Sequence, residues 1–114
     1  MITLWHNPRC SKSRQALTLL QEAGAEVTIR RYLDDAPSAE EIAQVRAAMG
    51  NPAVTEMMRT GEKLFGELGL STFMDEGSLI NAMANHPILI ERPVAIKADK
   101  AIIGRPPEKV RDLL

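Results

Sequence analysis

The chain has 114 residues, 45% of them apolar and 25% charged, and a net charge of −1. That length suits one compact domain and hardly two. Its charge excludes a global basic field for nucleic acid, and no apolar run approaches the ~20 residues of a membrane-spanning helix. The opening Met1-Ile2-Thr3 starts no leader-peptide pattern. A single cysteine, Cys10, leaves no internal disulfide, so a cytoplasmic location is the default expectation; the chain is also expected to be a monomer.

Ile2-Thr3-Leu4-Trp5 predicts a short buried strand, and Pro8 breaks any continuation of its ladder. Residues 11–23 carry Ala16, Leu17, Leu19, Leu20 and Ala23 on a helical face that ends at Gly24. Residues 26–32 are rich in β-formers and predict a second strand. A helix joins these two strands, which predicts parallel pairing through a right-handed crossover.

Asp34-Asp35-Ala36-Pro37 is a turn, and Ser38 with Glu41 three residues on is a capping-box signal. A helix is predicted from there to Met49, with Ile42, Val45 and Met49 inward and Gly50 as its stop. Asn51-Pro52 predicts the opening of another short helix, Asn51 as N-cap and Pro52 at the first position. Residues 60–75 are less regular, and a helix is predicted from about Glu76 to Asn85, ended by Pro87. Pro93–Ile96 and Ala101–Ile103 predict a β-hairpin around Ala98-Asp99-Lys100. Pro106-Pro107 starts a final helix to Leu114. The order is β-α-β, a helical block, then β-β-α. It predicts a thioredoxin-like α/β fold over one domain, 1–114, with a helical subdomain of about 38–86 inserted between the second and third strands.

Cys10 falls where the first strand gives way to the first helix, in His6-Asn7-Pro8-Arg9-Cys10-Ser11-Lys12-Ser13-Arg14. No acidic residue precedes Glu22, while Arg9, Lys12 and Arg14 crowd the thiol. A cationic helix N-terminus favours the thiolate and also gathers oxyanions. These residues therefore predict a thiolate nucleophile acting on an anion. Ser13 occupies the second position of a Cys-x-x-Cys motif, so the reductant must be a thiol from outside. Its hydroxyl is a candidate partner for the thiolate. His6, four residues before Cys10, is a candidate to orient the thiolate or, as imidazolium, to stabilise it. One cysteine and two distant histidines give no metal-ligand spacing. Arg59, Arg92 and Arg105 stand at a helix end, before Pro93 and between Gly104 and Pro106, and each offers a planar fork suited to an oxyanion. The Arg92-Pro93 bond is the candidate for the cis-proline that faces the active cysteine in thioredoxin-like folds.

His6-Asn7-Pro8-x-Cys10-x-x-Ser13-Arg14, Arg59, Glu67-Leu68-Gly69-Leu70, His86-Pro87-Ile88-Leu89-Ile90-x-Arg92-Pro93 and Gly104-Arg105-Pro106 together resemble the glutaredoxin-linked arsenate reductase (ArsC) family over essentially the full length. The resemblance implies arsenate reduction with no bound cofactor, glutathione as co-substrate and glutaredoxin as partner. It implies that Cys10 is the nucleophile and becomes glutathionylated. His6 and Ser13 match residues that favour the thiolate, and Arg59, Arg92 and Arg105 match those that hold the oxyanion. The loop up to Arg14 corresponds to an anion cradle. The chain departs from the family at Ser11-Lys12, where a small uncharged pair is usual, and at Arg9, which replaces a small residue. That version resembles an arsenate-reductase-like sister branch. Two alternatives use the same thiol: a thiol-transfer enzyme acting on another substrate, and a redox-related regulatory binding protein. The three-arginine set argues against the first, and Ser13 argues against the switch chemistry of the second.

Overall fold

The structure is a computed structural model that describes residues 1–114. The chain packs as two compact units, Met1–Asp35 with Arg92–Leu114, and Ala36–Glu91.

In the first unit, β1 (Ile2–Trp5) leads through the Cys10 loop into α1 (Ser11–Glu22) and then β2 (Val27–Arg30). β1 and β2 pair in parallel, Ile2 opposite Val27 and Leu4 opposite Ile29. β2 stops short of the predicted residue 32. The Arg31 carbonyl accepts from the N–H groups of both Asp34 and Asp35, which curls the chain away from the ladder. β3 (Val94–Lys97) runs antiparallel to β1, and β4 (Lys100–Ile103) antiparallel to β3. The sheet order is β2-β1-β3-β4. Lys97 pairs with Lys100, so the hairpin loop is Ala98-Asp99, and Ala98 takes the positive φ (55°) that a two-residue connection demands.

The core of this unit is Ile2, Leu4, Ala16, Leu20, Ala95, Val110 and Leu113. Leu4 and Leu20 are fully buried, each contributing about 1.5–3 kcal/mol. α1 lies against the last helix, Pro107–Leu113, which is a 3-10 helix throughout. Pro106 and Pro107 supply no N–H, and Lys109 N–H bonds to the Pro106 carbonyl at the tighter i→i+3 span.

The second unit is helical. α2 (Ala39–Ala48) starts with the predicted capping box, Ser38 and Glu41 each bonding the other's backbone N–H. α4 (Glu76–Asn85) is capped by Asp75, whose carboxylate accepts from the Ser78 N–H at 2.9 Å. α4 packs on α2 and on two 3-10 turns, Val54–Met57 and Pro87–Leu89. Asn51 is not an N-cap. It follows Gly50 into the left-handed region (φ 56°), its N–H closing back onto the Arg46 carbonyl, so the next turn begins only at Val54. Residues 60–75 hold one short helix, α3 (Lys63–Glu67). Within the unit, Met58 and Ile90 form an isolated antiparallel bridge. No helix of the chain is long and apolar enough to cross a membrane.

Candidate active site

Cys10 is the N-cap residue of α1, with extended backbone (φ −91°, ψ 122°) and no side-chain capping bond. Its carbonyl accepts the Arg14 N–H at 3.0 Å, the first turn of the helix. The approach to it is a tight loop. Asn7 Oδ1 accepts the Arg9 N–H at 3.0 Å, and the Asn7 carbonyl accepts the Cys10 N–H at 3.0 Å. These bonds turn the chain sharply after β1 and aim the thiol along the free N–H groups of α1.

The Cys10 thiol is held below its ordinary pKa. Burial pushes the value up, but the Ser13 backbone N–H, the Arg92 guanidinium and the Lys12 backbone N–H together outweigh it. Arg105 Nη2 lies 4.0 Å from Sγ. Of the groups the sequence suggests, the N-terminus of α1 and Arg92 act on the thiol, whereas the Arg9 and Lys12 side chains do not. Arg9 and the Lys12 ammonium are exposed, and Lys12 acts through its main chain.

Ser13 is fully buried, and its hydroxyl is directed elsewhere than at the thiolate. Its Oγ accepts the Asn7 N–H at 3.1 Å and lies 2.6 Å from His6 Nδ1. The Asn7 N–H, Ser13 Oγ and His6 Nδ1 thus form one continuous hydrogen-bonded chain. Burial lowers the His6 pKa, and the nearby charges of Arg31 and Arg14 lower it further, which disfavours the imidazolium. His6, Asn7 and Ser13 form one network that fixes the loop around the thiol.

Arg92 and Arg105 come from the strand side of the same unit. The Arg92-Pro93 peptide is cis, as is Arg105-Pro106, which the sequence did not single out. Arg105 Nε donates to the Arg92 carbonyl at 2.9 Å. Gly104 seats this pair. Its N–H bonds to the Pro93 carbonyl at 2.9 Å, and a Cβ there would meet Pro93 Cγ at 2.9 Å and Val110 Cγ1 at 3.0 Å. Cys10 thus carries a thiol flanked by the Arg92 and Arg105 guanidiniums.

A model described as the ArsC family matches residues 5–113. The chain belongs to the ArsC family. It is 41% identical to an arsenate reductase of Neisseria meningitidis serogroup A over 99% of this chain and 97% of that one. It is 40% identical to an arsenate reductase of Haemophilus influenzae over 99% and 98%. The solved arsenate reductase from Vibrio cholerae superposes with a TM-score of 0.95 at 41% identity, covering 99% of this chain and 97% of that chain. The fold is accordingly thioredoxin-like α/β.

Arg14 and Arg59 of this ArsC chain each have partners within their own unit. Arg14 is exposed and donates from Nη1 to the Pro8 carbonyl at 2.8 Å, bracing the loop. Arg59 belongs to the second unit, where its N–H bonds to the Leu89 carbonyl and Nη1 pairs with Glu62 at 2.7 Å. Residue-level reading missed Asn7 and Gly104. Asn7 carried a signal, a short polar side chain before Pro at a turn. Gly104 acts through close packing, visible in sequence only as a glycine beside Arg105-Pro106.

Proposed function

We propose that this chain reduces arsenate to arsenite, with Cys10 as nucleophile, glutathione as co-substrate and glutaredoxin as the final reductant. The observation that carries the reading is one depressed-pKa thiol set between the Arg92 and Arg105 guanidiniums. The relatives named arsenate reductase support the choice of oxyanion.

The Cys10 thiolate attacks arsenic, forming an S–As bond, and one arsenate oxygen leaves as water after protonation. Arg92 and Arg105 hold the remaining oxygens and balance the charge that gathers on them. A glutathione thiolate then attacks Cys10 Sγ. The S–S bond forms, the S–As bond breaks, and its electron pair stays on arsenic, which falls from pentavalent to trivalent and leaves as arsenite. The mixed disulfide on Cys10 passes its glutathione to a glutaredoxin thiol, which restores the thiolate. The Ser13 hydroxyl cannot substitute for that external thiol. Arg59 is assigned to the oxyanion by the family pattern alone.

The test is arsenate-dependent consumption of NADPH in an assay coupled through glutathione, glutaredoxin and glutathione reductase. Stimulation that disappears in Cys10→Ser is expected. Equal rates for the wild type and Cys10→Ser would reject the proposal.

A further inference from the structure

An open groove of about 450 Å³ is lined by Ser11, Arg14, Gln15, Thr18 and Leu19 of α1, starting from the residue after Cys10, and by Glu108 of the C-terminal 3-10 helix. The volume lies within the range of small-molecule sites, about 300–1,000 Å³. The five α1 residues recur at i, i+3, i+4, i+7 and i+8, so they form a single stripe of the helix. That stripe begins one residue after the nucleophile. From Ser11 to Leu19 it runs about 12 Å along the axis.

The lining carries one charge of each sign. Arg14 spends one N–H on the Pro8 carbonyl, leaving other donors of its fork for a ligand. Glu108 is exposed at the start of the 3-10 helix. Arg14 and Glu108 are not ion-paired, either with each other or with another residue of the chain. Ser11, Gln15 and Thr18 add hydroxyl and amide groups, and Leu19 gives an apolar surface. A guanidinium and a carboxylate facing one groove suit a zwitterion with its own carboxylate and ammonium. An extended tripeptide spans about 10 Å, close to the stripe's length.

We infer that this groove seats the thiol co-substrate, a tripeptide-sized thiol whose carboxylate meets Arg14 and whose α-ammonium meets Glu108. The inference deepens the external-thiol reading above and rests on it. The seated thiolate attacks Cys10 Sγ, the S–S bond forms, and the S–As electron pair remains on arsenic.

S-methylglutathione has no free thiol, so its binding reports the seat without any chemistry at Cys10. Titrated into nitrogen-labelled wild-type protein, it is expected to give saturable amide shifts at Ser11, Gln15, Thr18 and Glu108. Glu108→Lys reverses the charge at an exposed position and should raise the Kd by about fivefold or more. Thr18→Arg, which fills the stripe, should weaken binding likewise. Saturable shifts that map elsewhere, no saturable shifts, or an unchanged Kd in both variants would overturn the inference. Arsenate turnover plays no part in this measurement. A failure of the coupled assay with groove binding intact would therefore remove the arsenate reading and leave the seat.

Discussion

Arg105 is tied to Arg92: its Nε holds the Arg92 main-chain carbonyl at 2.9 Å while its Nη2 reaches Cys10 Sγ at 4.0 Å. One guanidinium thus anchors the backbone of the second arginine and faces the nucleophile at once. Lysine has a single nitrogen and cannot do both. Arg105→Lys should therefore lower arsenate kcat/KM by on the order of 10²-fold, the range for losing one transition-state donor at ~2.7–4 kcal/mol. Because the arginines are coupled, Arg92→Lys with Arg105→Lys should cost less than the two separate losses added together. Steady-state kinetics of the three variants checks this. Strict additivity would show the two arginines acting separately.

The thiolate's stabilisers make a second prediction. Arg92 lowers the Cys10 pKa both by hydrogen bonding and by its charge, so Arg92→Gln should raise the midpoint of ultraviolet thiolate absorbance against pH. The sign for stability follows from the folded value lying below the unfolded one. The thiolate's contribution is absent below the folded pKa, grows between the two values, and is complete above the unfolded thiol's ~8.5. Denaturant midpoints from neutral to alkaline pH should rise more steeply in wild type than in Cys10→Ser.

Ser13→Ala separates the hydroxyl from the main chain. It removes the partner of His6 Nδ1 and of the Asn7 N–H, and the cost should be about 1–3 kcal/mol of stability in urea unfolding. The Ser13 N–H that serves Cys10 is retained. The thiolate midpoint should therefore move less in Ser13→Ala than in Arg92→Gln. A larger movement would mean that the hydroxyl, not the backbone, holds the thiolate.

His6 supplies an acid-side test. Its folded pKa is lowered first by burial and then by Arg31 and Arg14. The unfolded chain takes up the proton first, so the stability present above the ordinary 6.5 is lost as pH falls through the lowered value. Thermal midpoints measured downward from pH 6.5 should drop more in wild type than in His6→Gln. Parallel curves would show that His6 does not titrate in that window.

Gly104→Ala would set a Cβ 2.9 Å from Pro93 Cγ and 3.0 Å from Val110 Cγ1. Overpacking of this kind costs about 1–3 kcal/mol. The variant should lose that much in chemical denaturation and also lose turnover, because the displaced segment carries Arg105.

The local signals were readable from order and composition. Short apolar runs, β-forming residues and helical apolar patterns marked all four strands, α1, α2 and α4, and Ser38 with Glu41 marked a cap that the structure contains. Those features depend on neighbours a few residues apart, so a linear reading reaches them. The Asn51 assignment failed because Gly50 and Asn51 both serve to close α2 in left-handed conformations, a use the same residues share with helix starts.

From Cys10, Ser13 and their flanking cations alone, the chain was already a lone thiolate at a strand-to-helix junction in need of an external reductant. The tertiary structure decided which groups touch that thiolate. Arg105 lies 95 positions from Cys10, and no local period encodes that meeting. It also showed that Lys12 and Ser13 act on the sulfur through N–H groups at the helix N-terminus rather than through their side chains. Side-chain identity is written in the sequence, whereas the direction of an N–H is set only once α1, β1 and β3 are packed.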